Sequence, residues 1–308
     1  MNTHHSALVM TLLVVSAGGV AFAQAPHVFP TPEAAVEALA TAVKARDVEP
    51  LVALLGAEGR ELATGGDPAT ARQNRAVVVA AMREGWKLEG SSRKKELVIG
   101  HEEWPFPIPI VKREQGWSFD AAAGKDEVLS RRIGRNELAA IRIVSTYVAA
   151  QHAYAKRGHD GKPAGVFARK FASAPGTEDG LYWPAAPGQQ ASPLGPLVAE
   201  AAAEGRSLGN GRQPVPFHGY LFRILEGQGA AATGGARSYV VDGAMTGGFA
   251  LVAWPAQYGS TGIMTFIVAA DGIIRERDFG DDTASAVARL AAFNPDRHWD
   301  RVFEPSAP

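Results

Sequence analysis

The chain contains no cysteine in 308 residues. It therefore cannot form disulfides, thiolate metal sites, a lipid-modified cysteine or a thiol nucleophile. If the protein is exported, its stability must come from hydrophobic cores rather than cross-links. With 46% hydrophobic and 20% charged residues, the chain is long enough to bury sizeable cores and to form two domains.

An excess of charge is also missing, because the formal net charge is −1. This balance gives no general reason to expect nucleic acid as a partner, and we predict none. Neither a phosphate-binding Gly-x-x-x-x-Gly-Lys-Ser/Thr loop nor a Gly-x-Ser-x-Gly nucleophile elbow occurs. His101 begins a His-Glu-Glu run, but no second histidine follows at helical spacing. We predict no cofactor, no metal site and no catalytic residues.

Long hydrophobic runs are scarce, and the longest lies at the N-terminus. Ala7–Val20 is apolar and is followed by Ala21–Ala23, a small-x-small pattern typical of a signal-peptide cleavage site. A membrane-spanning helix is the alternative, but the run is short for a span of ~20 residues and contains Gly18 and Gly19. We expect an exported protein, periplasmic or secreted after cleavage following Ala23, with no membrane span left.

Residues 24–124 have the pattern of an N-terminal α+β domain. Thr31 and Pro32 supply an N-cap and a proline in the first turn, which is typical of a helix start. Apolar spacing predicts helices over 32–45, 47–55 and 69–83, the last capped by Asp67. Strands are predicted over 96–99, 104–111 and 117–120.

The predicted strand over 104–111 carries proline at every second position, at Pro105, Pro107 and Pro109. Alternate N–H groups of an extended strand point to the same edge, so these prolines remove the donors along one side. We therefore expect a guarded edge strand that pairs only through its other side.

Residues 125–308 are predicted to fold around one long helix, from about Gly134 to Arg157. Side chains recur there at three- and four-residue steps, which is the spacing of a buried stripe. This stripe comprises Leu138, Ile141, Val144, Val148, His152 and Ala155. The Gly-, Pro- and Ala-rich residues 158–213 are interpreted as loops pinned onto the domain, including a helix near 198–203, and a disordered linker is the alternative.

An antiparallel sheet and a final helix are expected to complete this second domain. Alternating side chains predict strands over 220–225, 238–241, 249–254, 264–268 and 273–276. Asp271-Gly272 is expected to form a tight turn, because both residue types tolerate positive φ. Asp281 or Asp282 is expected to cap a helix over 283–293.

Eight distinctive segments run through the chain: WPFPIPIV, RRIGRNEL, YVAAQHAY, DGLYWPA, SPLGPL, FHGYLFRIL, GGFALVAWPAQYG and GIMTFIVAADG. Together they resemble the bacterial domain-of-unknown-function family 2950. The resemblance covers nearly all of the chain after the signal, and it implies no activity because that family has none assigned.

Two weaker resemblances concern architecture. The element order of residues 30–122 is similar to nuclear-transport-factor-2-like folds, which carry many functions in the cone between sheet and helix. Residues 136–154 with the later strands are similar to the head of type IV pilin-like proteins, in which a sheet wraps a long helix. A pilin's hydrophobic stalk, continuous with that helix, is missing here, so the resemblance implies a head without a stalk.

The densest polar cluster is Arg131, Arg132, Arg135, Asn136 and Glu137. Because residues four apart share a helix face, Arg132 and Asn136 are expected to point together. The cluster is either an interdomain hinge, with arginines paired to acids of the first domain, or an anion or peptide site between the domains. The candidate binding residues are Arg132, Asn136, Glu137, Tyr182, Trp183, His218, Tyr220 and Tyr258.

The sequence favours a non-enzymatic, exported module of the cell envelope that binds an unknown envelope protein or a small ligand. One alternative is a hydrolase in the interdomain cleft that uses Arg132, Glu137 and His218. Another is a chaperone or structural role in envelope assembly. The most informative observation would be whether a concave, polar-lined pocket lies at the junction of the two domains.

Overall fold

The computed structural model describes residues 25–45, 47–56, 58–64, 68–186, 188–203 and 215–302. Helices and antiparallel sheets occur together, which confirms the predicted α+β class. The expected signal segment and the expected cap Asp67 lie outside these residues. Within them, no helix is both long enough and apolar enough to cross a membrane.

In the first half of the described chain, helices precede strands as predicted. The helices are α1 (Pro32–Ala42), α2 (Glu49–Leu55), α3 (Gly59–Thr64) and α4 (Pro68–Glu84). The strands are β1 (Trp86–Gly90), β2 (Lys94–Ile99), β3 (Trp104–Pro105), β4 (Ile110–Arg113) and β5 (Gly116–Phe119). Thr31 caps α1 by accepting a hydrogen bond from the N–H of Ala34 at 3.1 Å, and Gly56 ends α2 at a φ of 80°. Sequence patterning did not predict α3 or the largely exposed β1.

These strands form one antiparallel sheet in the order β1, β2, β4, β5, and β3 also pairs with β2. The expected single edge strand over 104–111 is therefore wrong, because it splits into β3 and β4, and β4 lies inside the sheet. Pro107 and Pro109 lack the N–H groups that a continuous ladder would use. Phe106, which follows β3, donates its N–H to the carbonyl of Leu97 in β2 at 2.7 Å. After this bond the chain no longer pairs with β2 until β4 begins.

A single helix of 35 residues, α5 (Ala121–Ala155), connects the two halves. It begins at Ala121 rather than Gly134, because Asp120 caps it by accepting a hydrogen bond from the N–H of Ala123 at 3.2 Å. At 1.5 Å per residue it is about 50 Å long. Buried hydrophobic residues form separate clusters in the two halves. The domain boundary near residue 124 falls within the first turn of α5 and stays a prediction.

The predicted buried stripe of α5 is wrong in its direction. Leu138 is 61% exposed and His152 is exposed, while Ile141 and Val148 are only half-buried. The buried side chains from residue 136 onward are Asn136, Ala140, Ile143, Val144, Tyr147, Ala150, Gln151 and Tyr154. At about 100° per residue, this face lies about a third of a turn from the predicted stripe, and Val144 belongs to both. The prediction followed aliphatic side chains, whereas the helix buries polar ones as well.

In the second half, an antiparallel sheet packs against α5. The elements are α6 (Gly195–Ala203), β6 (Tyr220–Leu225), β7 (Gly227–Gln228), β8 (Arg237–Ser238), β9 (Val240–Val241), β10 (Ala244–Met245), β11 (Ala250–Pro255), β12 (Thr265–Ala269), β13 (Arg275–Arg277), α7 (Thr283–Arg289) and β14 (Asp300–Arg301). The main sheet has the order β14, β13, β12, β11, β6. Tyr147 of α5 donates its hydroxyl to the carbonyl of Ala250 at 3.2 Å. Gly272, at a φ of 70°, lies in the expected turn between β12 and β13.

Three expectations for this half differ from the structure. The strand expected over 238–241 does not join the main sheet, because it divides at the buried Tyr239 into β8 and β9, which pair with β7 and β10. The final helix ends at Arg289 rather than 293. Arg223 of β6 donates to the carbonyls of Val287 and Leu290 at 2.6 and 2.7 Å, and so satisfies the end of the helix. Asp282 occupies the N-cap position of α7, but its side chain makes no capping hydrogen bond.

The described residues between 158 and 203 pack against the hydrophobic core of the second half. This agrees with their interpretation as loops pinned onto the domain. Gln151 of α5 donates to the carbonyl of Ala168 at 2.8 Å and accepts from its N–H at 2.9 Å. Leu181 is fully buried, and α6 confirms the helix expected near 198–203.

Candidate functional site

A cavity of about 950 Å³ lies in the first half of the molecule. Side chains of α1, α2, α3 and α4 contribute to its lining, and β2, the segment from β3 toward β4, and α5 complete it. This volume is at the upper end of the range typical of small-molecule sites. Close-packed protein interiors contain few voids much larger than a water molecule, so a space of this size is a candidate binding site.

Most of the lining is apolar. Among its members, Leu39, Leu51, Leu55, Ile99 and Ile108 are each at most 5% exposed. These aliphatic side chains come from two helices, from β2 and from the proline-rich segment after β3. They form walls that would exclude water from a bound molecule.

Two further lining residues connect the cavity with solvent. Val77 of α4 is 59% exposed and Trp104 of β3 is 36% exposed, although both line the cavity. Large hydrophobic side chains that are exposed beside an apolar cavity indicate a route by which a ligand could enter.

Arginines of α5 supply the charge. Val128, Arg131, Arg132 and Arg135 all line the cavity and recur at the three- and four-residue steps of one helix face. With Arg75 of α4, the described lining contains four arginines and two glutamates, so positive charge predominates. We call this space the arginine cavity.

Two of the α5 arginines have protein partners. The Nε of Arg131 donates to Glu127 at 2.6 Å, its Nη1 donates to the carbonyl of Pro105 at 2.8 Å, and its guanidinium lies 4.9 Å from the ring centroid of Trp104. The Nη1 of Arg135 donates to the side-chain oxygen of Asn74 at 2.7 Å. Arg131 therefore fixes β3 to α5, and Arg135 links α5 to α4.

Arg132 differs from both of these neighbours. It is only 8% exposed, yet its guanidinium has no hydrogen bond and no ion pair with any residue that the structure describes. The carboxylate of Glu61 acts on it at longer range, but Glu61 is paired with the Nζ of Lys125 at 2.9 Å. The side chain is largely buried, but none of its guanidinium nitrogens is fully enclosed, so the charged group reaches accessible space. A charge in such a place with no described protein partner makes Arg132 the residue of this site that most requires an explanation.

The shifts in the pKa values of the α5 arginines agree with this excess of positive charge. Burial lowers the pKa of Arg132, and Glu61 opposes part of this effect. The pKa of Arg135, a more exposed side chain, is lowered by partial desolvation and then by the positive charges of Arg132 and Arg131. Arginine starts so far above neutral pH that both side chains stay charged. The arginine cavity therefore combines uncompensated positive charge with apolar walls.

Asn136 and Glu137, which were predicted to share a site with Arg132, hold α5 to the second sheet instead. The side-chain amide of Asn136 donates to the carbonyl of Thr261 at 2.8 Å. The Oε1 of Glu137 accepts hydrogen bonds from the N–H groups of Ile263 and Met264 at 2.8 and 3.0 Å. These contacts position the chain that leads into β12.

Tyr220 joins this group from β6. Its hydroxyl donates to the carbonyl of Met264 at 2.9 Å and lies 3.5 Å from the Oε1 of Glu137. Burial raises the pKa of Tyr220, and the negative charge of Glu137 raises it further. His218 precedes Tyr220 at a φ of 48°, and its ring centroid is 4.5 Å from that of Phe217.

The other predicted aromatic residues lie elsewhere. Trp183 is buried, donates its indole N–H to the carbonyl of Gln190 at 3.3 Å, and packs 5.6 Å from the ring of His159. Tyr182 precedes it in the same loop. Tyr258 donates its hydroxyl to Asp278 at 3.3 Å. Neither these residues nor Tyr220 and His218 are among the described residues that line the arginine cavity.

Of the predicted binding residues, the arginine cavity thus contains Arg132, while Asn136, Glu137 and Tyr220 come together on the side of the second sheet. Sequence reasoning missed Asn74 and Arg75 of α4 and did not identify Trp104 as part of a binding site. The three prolines after Trp104 were the available signal. A strand that cannot continue its ladder must leave the sheet, and this one forms a wall of the cavity.

Among the residues that the structure describes, no three His, Asp or Glu side chains are grouped so that they could hold a metal ion. A family model described as "Protein of unknown function (DUF2950)" matches residues 26–302. No curated protein and no solved structure matches the chain.

Proposed function

This chain belongs to the family described as "Protein of unknown function (DUF2950)", and we propose that it binds a small molecule in the arginine cavity without catalysing a reaction. The family description assigns no activity, so the proposal depends on the cavity. Its volume of about 950 Å³, behind largely apolar walls, is the observation that carries it.

The chemistry of the lining favours binding over catalysis. Among the described lining residues, none carries a hydroxyl, an imidazole or a thiol. Hydrolysis by a serine, threonine or cysteine nucleophile uses such a group beside a base. Of the two carboxylates in the lining, Glu84 accepts a hydrogen bond from the N–H of His101, and Glu102 is exposed. Of the three residues suggested for a hydrolase, Arg132 lines the cavity, whereas the Oε1 of Glu137 accepts hydrogen bonds from the lead-in to β12.

We place this binding outside the cytoplasm. Support for export comes from the sequence alone: the apolar Ala7–Val20 followed by Ala21–Ala23 has the pattern of a cleaved signal peptide. A protein without cysteine is compatible with an oxidising compartment, because it has no thiol to be modified there. In this proposal the protein is an envelope or secreted binder of a small ligand, and the second half provides a rigid support for α5.

Filling the cavity tests the proposal. Val78 of α4 lines the cavity and is half-buried, so Val78→Phe should place extra volume inside it. Decanol, an uncharged apolar probe, should bind the purified full chain at one molecule per chain in isothermal titration calorimetry. We expect Val78→Phe to weaken this binding by about tenfold or more, because overpacking removes the space.

The matched control lies on the same helix. Ala76 is exposed and is not among the described lining residues, so Ala76→Phe adds a phenyl ring to α4 outside the cavity. This variant should bind decanol like the unaltered protein. The proposal is overturned if neither decanol nor a charged probe with the same tail binds the unaltered chain, or if Val78→Phe and Ala76→Phe bind decanol equally well.

A further inference from the structure

We propose that the natural ligand is an anionic amphiphile, whose carboxylate or phosphate head pairs with Arg132 and whose apolar tail lies against Leu39, Leu55 and Ile99. This inference deepens the proposed function and rests on it. It specifies the charge and the polarity of the ligand, which cavity volume alone does not.

The head group is assigned by comparing the three arginines of α5. Arg131 and Arg135 already donate hydrogen bonds to protein acceptors in the first half of the molecule. Arg132 has none among the described residues, although it lines the same cavity and is 8% exposed. Its guanidinium therefore keeps a planar set of donors for a ligand, and that geometry matches the paired oxygens of a carboxylate or phosphate.

The sign of the ligand's charge is inferred from the acidic residues near Arg132. Glu61 is engaged by Lys125 at 2.9 Å and so is partly neutralised. Glu84 accepts a hydrogen bond from the N–H of His101 at 3.0 Å, and Glu102 is exposed. None of these acids forms an ion pair with Arg132 in the described structure. An anion would supply the missing counter-charge, whereas a cation would add to the repulsion among the arginines.

The apolar tail is inferred from the walls of the cavity, which are aliphatic where Arg132 is charged. The aliphatic side chains that line the cavity offer no hydrogen-bonding groups, so a fully polar anion would lose its hydration there without compensation. A molecule with one charged end and one apolar end satisfies both parts of the lining. Val77 and Trp104, which are exposed beside the cavity, give such a tail an apolar path into it.

Four probes with the same ten-carbon tail test the head group: decanoate, decyl phosphate, decanol and decylammonium. Each is titrated into the purified full chain at pH 7.5, below the concentration at which it forms micelles. We expect the affinity of the tighter-binding anion to be about ten- to a hundredfold higher than that of decanol. This is the range for a charge-assisted hydrogen bond. Decylammonium should bind more weakly than decanol.

Substitutions then assign the effect to Arg132. Arg132→Met should reduce the affinity for the anions to that for decanol and leave decanol binding unchanged. Arg132→Lys, which keeps the charge, should retain part of the preference. Arg142→Met is the matched control, because Arg142 lies on the same helix, is exposed, pairs with Glu200 at 2.8 Å and is not among the described lining residues. It should bind all four probes like the unaltered chain.

The possible outcomes separate this inference from the proposed function. Equal binding of decanol and both anions to the unaltered chain overturns the anionic head while the cavity function stands. An equal loss of anion binding in Arg132→Met and Arg142→Met also overturns it, because the effect would then reflect net charge. Failure of all four probes overturns the proposed function itself. A preference for an anion that disappears only in Arg132→Met supports both.

Discussion

The two ends of α5 use buried polar side chains in opposite ways. Toward its C-terminal end, Gln151 is fully buried and makes hydrogen bonds through both its amide nitrogen and its amide oxygen. Toward its N-terminal end, Arg132 is nearly as buried and has no partner among the described residues. Paired polar groups fix a fold, while an unpaired one beside a cavity indicates where a ligand is expected.

The second half shows how completely a polar network can be satisfied within a core. The amide of Gln151 donates to the hydroxyl of Tyr147 at 3.0 Å, and that hydroxyl donates to the carbonyl of Ala250 at 3.2 Å. Burial raises the pKa of Tyr147, so the phenol stays neutral and keeps its donor at physiological pH. The network joins α5 to β11 and to the loop at Ala168.

The largest expected effect therefore comes from breaking this network. Gln151→Leu keeps a side chain of similar size but leaves the N–H and the carbonyl of Ala168 without their partner. Each buried polar group without a partner costs about 1–3 kcal/mol, so we expect the free energy of unfolding to fall by about 3 kcal/mol. Urea unfolding followed by circular dichroism measures it.

Gln190→Leu provides the control, since Gln190 is exposed and no hydrogen bond of its side chain occurs among the described residues. Its effect should stay within about 0.5 kcal/mol. If Gln151→Leu were equally mild, the second half would not be the rigid support that the comparison requires.

Much of the second half could be predicted from its sequence. Strands β6, β11 and β12 alternate or run as continuous apolar segments, and both patterns identify strands without tertiary information. The orientation of α5 could not be obtained in this way. Its buried face contains Asn136 and Gln151, and their burial is favourable because the loop carbonyls of Thr261 and Ala168 accept hydrogen bonds from them.

The site was only partly predictable, for a related reason. The arginine run around Arg132 was visible as a polar cluster, and an anion site was one of its two interpretations. Glu127 lies four residues before Arg131 on the same helix, so that pair was visible in the sequence. The contacts of Arg131 with Pro105 and of Arg135 with Asn74 depend on the fold. The cavity itself arises where α1 to α4 meet the sheet, and no local pattern encodes an unfilled space.

The comparison also predicts a change of opposite sign at the other end of α5. Arg132→Met removes a charge from a side chain that is 8% exposed and has no described partner, so the ligand-free protein should gain up to about 1 kcal/mol in its free energy of unfolding. Arg131→Met is the matched control, because Arg131 bonds to Glu127 and to the carbonyl of Pro105, and its loss should destabilise. Both are measured by urea unfolding. Destabilisation by Arg132→Met to the same extent as Arg131→Met would show that Arg132 has a structural role.

The smallest effect is expected where a paired group is close to solvent. Asp179 accepts hydrogen bonds from the ammonium of Lys170 and from the N–H of Ala174, the latter at 2.9 Å. Lys170 first, and then Ala174, lower the pKa of Asp179 to about 2. A lowered folded-state pKa gives stability that is fully present above the unfolded value of 3.8 and is lost as pH falls through about 2.

Because the Asp179 side chain is still 29% exposed, water screens the pair, and Asp179→Asn should cost less than about 1 kcal/mol at pH 7. The difference from the unaltered protein should shrink between pH 4 and pH 2, measured by urea unfolding at each pH. Asp242→Asn, at an exposed turn position, is the control, and its cost at pH 7 should stay within about 0.5 kcal/mol. A cost at pH 7 as large as that of Gln151→Leu would contradict the ranking, because it would mean that exposed pairs stabilise this half as much as its buried network does.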